Sequence, residues 1–463
     1  MNTEPNSLLA IRTSPWHEQT AWVLFFCAFF GTCAVALVVQ LVLLPIYLPL
    51  QHAGHGMLVG GDSEGMHSTA AALAQRIQTE GWSAWELRPA GNAPTGIAAA
   101  IYRYLTAEPY VLVPLNALVH ATGGLFVYLM ARNIFQHRMA AVVAAIPFLA
   151  YLSAASWYAQ IHKDGIFALG MLSCAYGWML AFRLDFWRSA VLRFVSLLGP
   201  LVLGLFLVWL VRPYSIILMQ IVGFVIMLFG LALVAVWRHQ GALGRSRSLL
   251  AVFVFVAIPV MTTVVKPSDS RVEGWKGDVI ARELTLRYMP TTCVLERGTS
   301  EWVDKLSSTV AGMRDFFISG YPNAKSNMDP EFVPGTVCNL LAYVPRALQV
   351  GFLAPFPSAW LAEGSIAVST LMRRVISFEM IVTYLALLFL PLILWDNRRK
   401  PEFWFIMGFF VLMTTIHVYL VPNLGTLHRM RYAFLTGAVG LVIAGGVQRF
   451  LSRGAGSRAA VHC

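Results

Sequence analysis

Two carboxylates separated by one residue are the side chains of this chain best suited to acid–base chemistry, and they lie in the tripeptide Asp62-Ser63-Glu64. The tripeptide follows a long apolar stretch, residues 22–50, and opens a polar loop. A carboxylate at the edge of a membrane can accept the proton of a hydroxyl group while that hydroxyl attacks another molecule. We therefore take Asp62 as the candidate general base. Glu64 either assists it or holds a divalent cation, and one pair of acids does not identify the metal.

Further candidates are charged residues that the expected membrane topology brings to the same face as Asp62. Charges this close to hydrocarbon are costly unless they are paired, so they tend to mark functional sites. For each of them the alternative is an interfacial anchor or a structural ion pair. The expected contacts to a donor phosphate are Lys163, Arg212, Arg429 and Arg431. The other site candidates are His67, Asp164, Arg314 and His428, and His162 lies in the same turn as Lys163.

Together these residue types suit transfer of a group from a phosphorylated donor. An acid can deprotonate the acceptor, and a guanidinium can grip a phosphate through two parallel hydrogen bonds. Displacement at the anomeric carbon of a sugar needs both a base on the acceptor and positive charge on the departing phosphate. Walker A and dinucleotide-binding motifs are absent from the sequence, which disfavours ATP-driven transport and nicotinamide chemistry.

The elements that must position these residues are membrane helices. With 57% hydrophobic and 12% charged residues and a mean hydropathy of +0.65, the chain needs lipid as its solvent. Apolar runs of about 20 residues cross the hydrocarbon as helices, which satisfy their own backbone hydrogen bonds. The sequence thus predicts an all-α polytopic membrane protein with about ten spans: residues 22–44, 109–131, 139–158, 164–183, 191–211, 214–237, 249–265, 375–395, 402–421 and 432–449.

The net charge of +11 is distributed as expected for a membrane protein and not for a nucleic-acid-binding one. Basic residues recur at alternate span ends, which is the positive-inside pattern. We therefore expect both termini in the cytoplasm, the first apolar stretch retained as a span, and the loop bearing Asp62 outside. The expected segments are a cytoplasmic N-terminus 1–21, a transmembrane region 22–265 with an outward loop 51–108, a large outward loop 266–372, C-terminal spans 373–450 and a cytoplasmic tail 451–463.

Both outward loops carry local patterns. In the first, apolar residues at helical spacing predict an amphipathic helix lying on the membrane, with a second short helix within 96–105 beside it; the apolar positions are Met66, Ala70, Leu73, Ala74 and Ile77. In the second we expect short helices and turns, with the Pro-interrupted stretch 343–357 dipping into the outer leaflet. Cys293 and Cys338 are a pair in a loop facing an oxidising compartment, which indicates a disulfide.

The stretch Gly61-Asp62-Ser63-Glu64-Gly65-Met66-His67, followed by an Ala-rich helix, resembles the acidic first-loop motif of the GT-C superfamily of polytopic glycosyltransferases. The resemblance implies a polyprenyl-phosphate-linked sugar as donor, a lipid or glycan acceptor, and Asp62 as the catalytic base. A directly adjacent acid pair is more usual in that superfamily. Because Ser63 separates the two acids here, the requirement for a divalent cation stays open.

Other fragments resemble membrane proteins of bacterial exopolysaccharide clusters, among them Arg212-Pro213-Tyr214 and the stretch Gly425-Thr426-Leu427-His428-Arg429-Met430-Arg431. This second resemblance implies envelope polysaccharide assembly in a bacterial inner membrane, with the active site facing outward. Two alternatives remain. A Wzy-like polysaccharide polymerase or ligase would use the same arginines, and a secondary transporter or lipid flippase would place its charges at mid-membrane on two related halves.

Overall fold

The computed structural model describes residues 18–188, 194–213, 215–264, 301–320, 322–332 and 337–461. Within these ranges the chain is helical, and two isolated β-bridges are the extent of its β-structure. Seven of the described helices are long and apolar enough to cross a membrane, or eight if one bent pair counts as a single span. The predicted class, an all-α polytopic membrane protein, is confirmed.

The helices follow one another with short connections in most of the chain. The first one continues without a break as a π-helix, Val39–Tyr47, and the two together form one span. In chain order the helices are α1 (Gln19–Val38), α2 (Asp62–Glu80), α3 (Ala93–Tyr102), α4 (Val113–Ile134), α5 (Arg138–Ala150), α6 (Ala155–Tyr158), α7 (Asp164–Ala181), α8 (Leu184–Arg188), α9 (Phe194–Val211), α10 (Ser215–His239), α11 (Arg245–Val264), α12 (Glu301–Gly320), α13 (Val337–Leu353), α14 (Ala367–Asp396), α15 (Pro401–Leu420) and α16 (Leu424–Val461).

Three of the ten expected spans are not among these seven helices. The span expected at 139–158 is a pair of helices bent by 48° between Ala150 and Leu152. Pro147 lies near the end of α5, and a proline removes a backbone hydrogen bond from a helix. The spans expected at 191–211 and 249–265 correspond to the apolar helices α9 and α11.

At the centre of the bundle lies α7, whose apolar window is completely buried inside the protein. It packs closely on α9 because both helices carry glycines at their contact. A Cβ on Gly204 of α9 would lie 2.4 Å from Cys174 Sγ and 2.5 Å from the carbonyl oxygen of Gly170. Small residues allow such close approach between membrane helices. The close packing brings the start of α7 next to the end of α9, where Asp164 and Arg212 lie.

The two helices predicted within residues 51–108 are present as α2 and α3. The predicted apolar face of α2 is buried, but protein covers it and not lipid. Its side chains form one cluster with Ala98, Ala99 and Tyr102 of α3 and with Ile161. The small and aromatic side chains of α3 therefore cover the apolar face of α2. The second helix thus fixes the orientation of α2, and with it the position of Asp62.

The late loop contains two helices, α12 and α13, which are longer than the short helices expected there. In the stretch expected to dip into the leaflet, 343–357, residues 343–353 belong to α13 and Pro357 begins the short 3₁₀-helix Pro357–Ala359. Residues of α13 pack against α15 in a separate apolar cluster. Cys338 is disulfide-bonded. Cys293 lies outside the described residues, so the predicted Cys293–Cys338 pair stays a prediction.

Candidate active site

The candidate base, Asp62, is the first residue of α2 and directly follows the N-cap residue Gly61. Acidic residues are stabilised in the first turn of a helix by its dipole. The Asp62 side chain is 54% exposed and lines a cavity of about 450 Å³, a size found for small-ligand sites. We call this the α2 cavity; its other lining residues are Gly61, Gly65, Met66, Thr69, Pro89, Ala90, Asn92, Thr95 and Lys163.

Two further side chains from distant parts of the chain reach Asp62. Arg429 Nη1, from the first turns of α16, lies 3.7 Å from Asp62 Oδ2. His162 Nε2, from the turn before α7, lies 3.9 Å from the same oxygen. The loop 51–108, the turn before α7 and the start of α16 therefore meet at one end of the helix bundle.

The buried residue Asp164 contacts His162, Arg212 and Arg429. Its carboxylate is buried, and Oδ1 accepts a hydrogen bond from Arg212 Nη2. The other oxygen, Oδ2, lies 3.0 Å from His162 Nδ1 and 3.7 Å from Arg429 Nε. An unpaired carboxylate in this apolar setting would be very costly, so its cationic neighbours are required for it to stay charged. Asp164 thus fixes three side chains at once.

His162 orients the guanidinium of Arg429. Arg429 Nη1 donates to His162 Nε2 at 2.5 Å. A guanidinium has only donors, so His162 Nε2 is the acceptor in this contact. Arg429 remains 28% exposed. It is therefore held on its inner side and accessible on its outer side, next to Asp62.

Two of the four expected phosphate contacts lie away from the α2 cavity. Arg212 is only 3% exposed, pairs with Asp164, and its guanidinium carbon lies 4.7 Å from the centre of the Phe167 ring. Arg431 is buried and donates from Nη1 to the carbonyl oxygens of Val350 and Gly351 at 2.6 and 2.7 Å.

Both of these guanidiniums are enclosed by protein, and Arg431 Nη2 also donates to the Ala354 carbonyl. The expectation that they contact donor phosphate is not supported by this placement. Arg212 neutralises a buried carboxylate, and Arg431 satisfies carbonyl groups at the end of α13, which have no partners within that helix. Lys163 and Arg429 are the two expected phosphate ligands that lie at Asp62.

His67 lies five residues after Asp62 on α2, which turns its side chain by about 140° away from Asp62. Its Nδ1 is 3.1 Å from the hydroxyl of Tyr102, and its ring lies 4.9 Å from that of His55, which in turn contacts Glu108. Burial and the neighbouring His55 lower the pKa of His67 despite the negative charge of Glu108. His67 therefore belongs to the contact between α2 and the rest of the first loop. Glu64 is exposed on the surface of α2.

His428 also points away from Asp62, into a buried polar cluster. Its Nε2 lies 3.1 Å from Ser153 Oγ and 3.6 Å from Glu379 Oε2. The Glu379 carboxylate accepts hydrogen bonds from the backbone N–H and the hydroxyl of Ser153, at 2.7 and 2.8 Å. Since Ser153 follows the bend between α5 and α6, Glu379 satisfies a donor that the break in the helix sets free.

Arg314, on α12, organises the late loop. Its guanidinium donates to the carbonyl oxygens of Phe332, Val418, Met328 and Asp329. Burial lowers the pKa of this guanidinium, partly offset by nearby Tyr343 and Asp329. Arg314 therefore ties the loop to the end of α15 and lies apart from the α2 cavity.

No group of three or more His, Cys, Asp and Glu side chains is arranged to hold a metal ion in the part of the chain that the structure describes. Around Asp62 the neighbours are instead cations. The site as described is therefore suited to an anionic ligand, and the role of Glu64 in holding a divalent cation stays a prediction.

Two residues of this arrangement are not among the sequence-predicted site residues, His162 and Glu379. The run His162-Lys163-Asp164 is a signal for the first, because three ionisable residues are rare in a short turn between spans. A glutamate inside an otherwise apolar run is a signal for the second.

Comparisons with known proteins give one structural likeness. Neither the protein-family models nor the curated proteins contain a match to this chain. Among solved structures, the chain is similar to the archaeal oligosaccharyltransferase AglB from Archaeoglobus fulgidus, determined in complex with an inhibitory peptide and a dolichol-phosphate. The identity is 13% and the TM-score 0.43, over 92% of this chain and 50% of the other. The chain thus spans about half the length of that protein.

Proposed function

We propose that this protein is a membrane glycosyltransferase that moves a sugar from a polyprenyl-phosphate donor to a lipid or glycan acceptor at the outer face of the plasma membrane, in envelope or exopolysaccharide assembly. One observation carries the proposal. An exposed carboxylate, Asp62, lines a cavity that Lys163 also lines. Arg429 Nη1 lies 3.7 Å from the Asp62 carboxylate. A base and two cations side by side are what transfer from a phosphorylated donor requires.

In the proposed reaction Asp62 takes the proton from the acceptor hydroxyl. The acceptor oxygen forms a bond to the anomeric carbon of the sugar as the bond from that carbon to the phosphate oxygen breaks. The lipid phosphate leaves with the electron pair of the broken bond. Lys163 and Arg429 stabilise the negative charge that develops on the leaving oxygen.

The contact between Arg429 and Asp62 suggests an order of events. Without donor, the Asp62 carboxylate and the Arg429 guanidinium lie 3.7 Å apart and form an ion pair. A phosphate arriving in the α2 cavity competes for the guanidinium. Once Arg429 binds the phosphate, Asp62 is released to accept a proton, so the base becomes effective when the donor is in place.

The distribution of charged residues between the two ends of the helix bundle supports the proposed orientation in the membrane. Asp62, Asp164, Arg212 and Arg429 meet at one end of the bundle. Most of the basic groups that follow the positive-inside pattern lie at the other ends of the same helices, such as Arg183 after α7 and Arg449 in α16. We therefore propose that the α2 cavity faces outward, on the same side of the membrane as the segments 51–108 and 266–372.

A second candidate, a secondary transporter or lipid flippase, is favoured by one observation. Glu379 and His428 form a buried acid–imidazole contact of 3.6 Å within candidate spans, and intramembrane ionisable pairs are common in transporters. A polymerase or ligase has less support, because Arg212, Arg314 and Arg431 are buried in contacts within the protein.

The test is a transfer assay in proteoliposomes with radiolabelled polyprenyl-phosphate sugars. We expect label to move to a lipid or glycan acceptor with the natural chain, and Asp62→Asn to lower the rate by about 10²–10⁴ while the protein still inserts. Glu80→Gln is the matched control, because Glu80 is an exposed acid on the same helix. Near-normal turnover in Asp62→Asn would end the assignment of the base. Label that crosses the bilayer still attached to its donor would identify a flippase.

A further inference from the structure

A second cavity lies at the other end of the bundle from Asp62. It has a volume of about 350 Å³ and is lined by Phe135, Asp396, Asn397, Lys400, Gly445, Gln448, Arg449, Ser452 and Arg453. Arg449 is 20 residues beyond Arg429 on α16, which corresponds to about 30 Å along the helix. This cavity, which we call the basic cavity, is therefore separate from the α2 cavity, and it plays no part in the proposed transfer reaction.

The charge of the basic cavity is positive. Its three cations and one carboxylate leave a net charge of +2. Both oxygens of Asp396 accept from Arg449 Nη1, at 2.8 and 2.7 Å. Lys400 Nζ donates to the carbonyl oxygen of Ile134 at 2.8 Å and to Asn397 Oδ1 at 3.0 Å. The carboxylate is thus already neutralised, and the exposed Arg453 adds positive charge at the rim.

The basic cavity lies at the ends of three long apolar helices that are candidate membrane spans. It lies where α14 ends, α15 begins and α16 leaves the bundle. Exposed aromatic side chains lie at this end of the bundle, with Trp395 65% and Phe450 78% exposed. Tryptophan rings concentrate at the interface between membrane and water, and basic pockets between membrane helices bind anionic headgroups.

We propose that the basic cavity binds the phosphate headgroup of an anionic phospholipid. The phosphate contacts Arg453 and Lys400, and an acyl chain lies along the exposed aromatic side chains at this end of the bundle, Trp395 and Phe450. A free inorganic phosphate has the same anionic chemistry. The lipid is favoured because its hydrocarbon chain would cover the exposed apolar surface beside the cavity, which a free phosphate would leave exposed to water.

The experiment is native mass spectrometry of the detergent-purified full chain with added phosphatidylglycerol or phosphatidylcholine. We expect the natural chain to retain phosphatidylglycerol in preference to phosphatidylcholine. Arg453→Gln should weaken the preference about fivefold, the effect of one basic residue at an anionic surface. The matched control is Arg245→Gln, since Arg245 is an exposed arginine at the start of α11 and does not line the cavity.

Three results would overturn the proposal: equal retention of the two lipids, an equal effect of Arg453→Gln and Arg245→Gln, or binding of inorganic phosphate alone with no preference between lipids. If Arg453→Gln does not fold, the natural chain still provides a test. Raising the salt concentration from 50 to 500 mM should reduce the preference for phosphatidylglycerol, because screening weakens contacts at an exposed charged site. A preference unaffected by salt would contradict the electrostatic basis of the site.

Discussion

Replacing Asp164 by asparagine tests whether this buried carboxylate organises the candidate active site. The amide keeps the shape of the side chain but removes its charge. Arg212 would then be a buried cation with no charged partner, because its Nε and Nη1 atoms have no other hydrogen-bond partner among the residues that the structure describes. Removing one member of a buried ion pair costs about 3–5 kcal/mol.

The expected result is a large loss of stability in Asp164→Asn. Using the usual relation between free energy and melting temperature for a large domain, we expect Tm to fall by on the order of 5–10 °C. Thermal unfolding in detergent, followed by tryptophan fluorescence, measures it. The matched control is Asp185→Asn, which removes an exposed carboxylate paired with Arg183 and should change stability by less than about 1 kcal/mol.

The double variant Asp164→Asn/Arg212→Met separates the cost of the unpaired cation from other effects. It removes the charge that the single variant leaves uncompensated, so most of the lost Tm should return. Transfer activity should not return, since Arg429 and His162 have still lost their shared carboxylate. The reasoning would be refuted if Asp164→Asn had the same Tm as the natural chain, or if the double variant had a lower Tm than the single variant.

Three further predictions follow from the same contacts. Arg429→Lys should keep the charge but lose the two-pronged grip, so the donor KM should rise about tenfold; an unchanged KM would mark Arg429 as an anchor. Burial raises the pKa of Asp329, but hydrogen bonds from Arg346 and Tyr343 lower it further, so that it lies below its usual 3.8. The contribution of Asp329 to stability is therefore complete above pH 3.8 and is lost as the pH falls through the pKa of the folded protein. Arg346→Gln should therefore reduce the resistance of the late loop to proteolysis at pH 5 and make the loss on acidification smaller; equal pH profiles in both proteins would contradict this. Cysteines placed at Ser68 and Asn323 should react with an impermeant reagent from outside intact cells, and protection of both would reverse the proposed orientation.

The sequence was sufficient for those features that depend on local periodicity. The helical spacing of Met66, Leu73 and Ile77 predicted α2 and its buried face, since side chains three and four residues apart share one side of a helix. The alternation of spans predicts one common face for a larger set of charged residues, and of these Asp62, Lys163 and Arg429 lie together at one end of the bundle. What covers the face of α2 could not be predicted, because a protein partner and a lipid surface select the same apolar pattern.

The direction of individual arginines at the site could not be predicted either. Arg429 and Arg431 are two residues apart, which on a helix turns their side chains by about 200°. One reaches Asp62 and the other reaches the end of α13. The choice depends on the rotation of α16 against its neighbours, which no pattern of charges fixes. Arg212 is turned inward because α7 and α9 approach closely through glycines, another contact between distant parts of the chain.

The first turns of α16 contact both the α2 cavity and the end of α13, through two residues that are close together in the chain. Arg429 touches the base, and Arg431 holds the carbonyl groups at the end of α13. Less than one helical turn separates them, and a helix is stiff over that length. A compound lodged between α13 and α16 would therefore displace Arg429 without entering the α2 cavity. Such a compound would be an inhibitor that does not compete with the donor, and the late loop would be the place to screen for it.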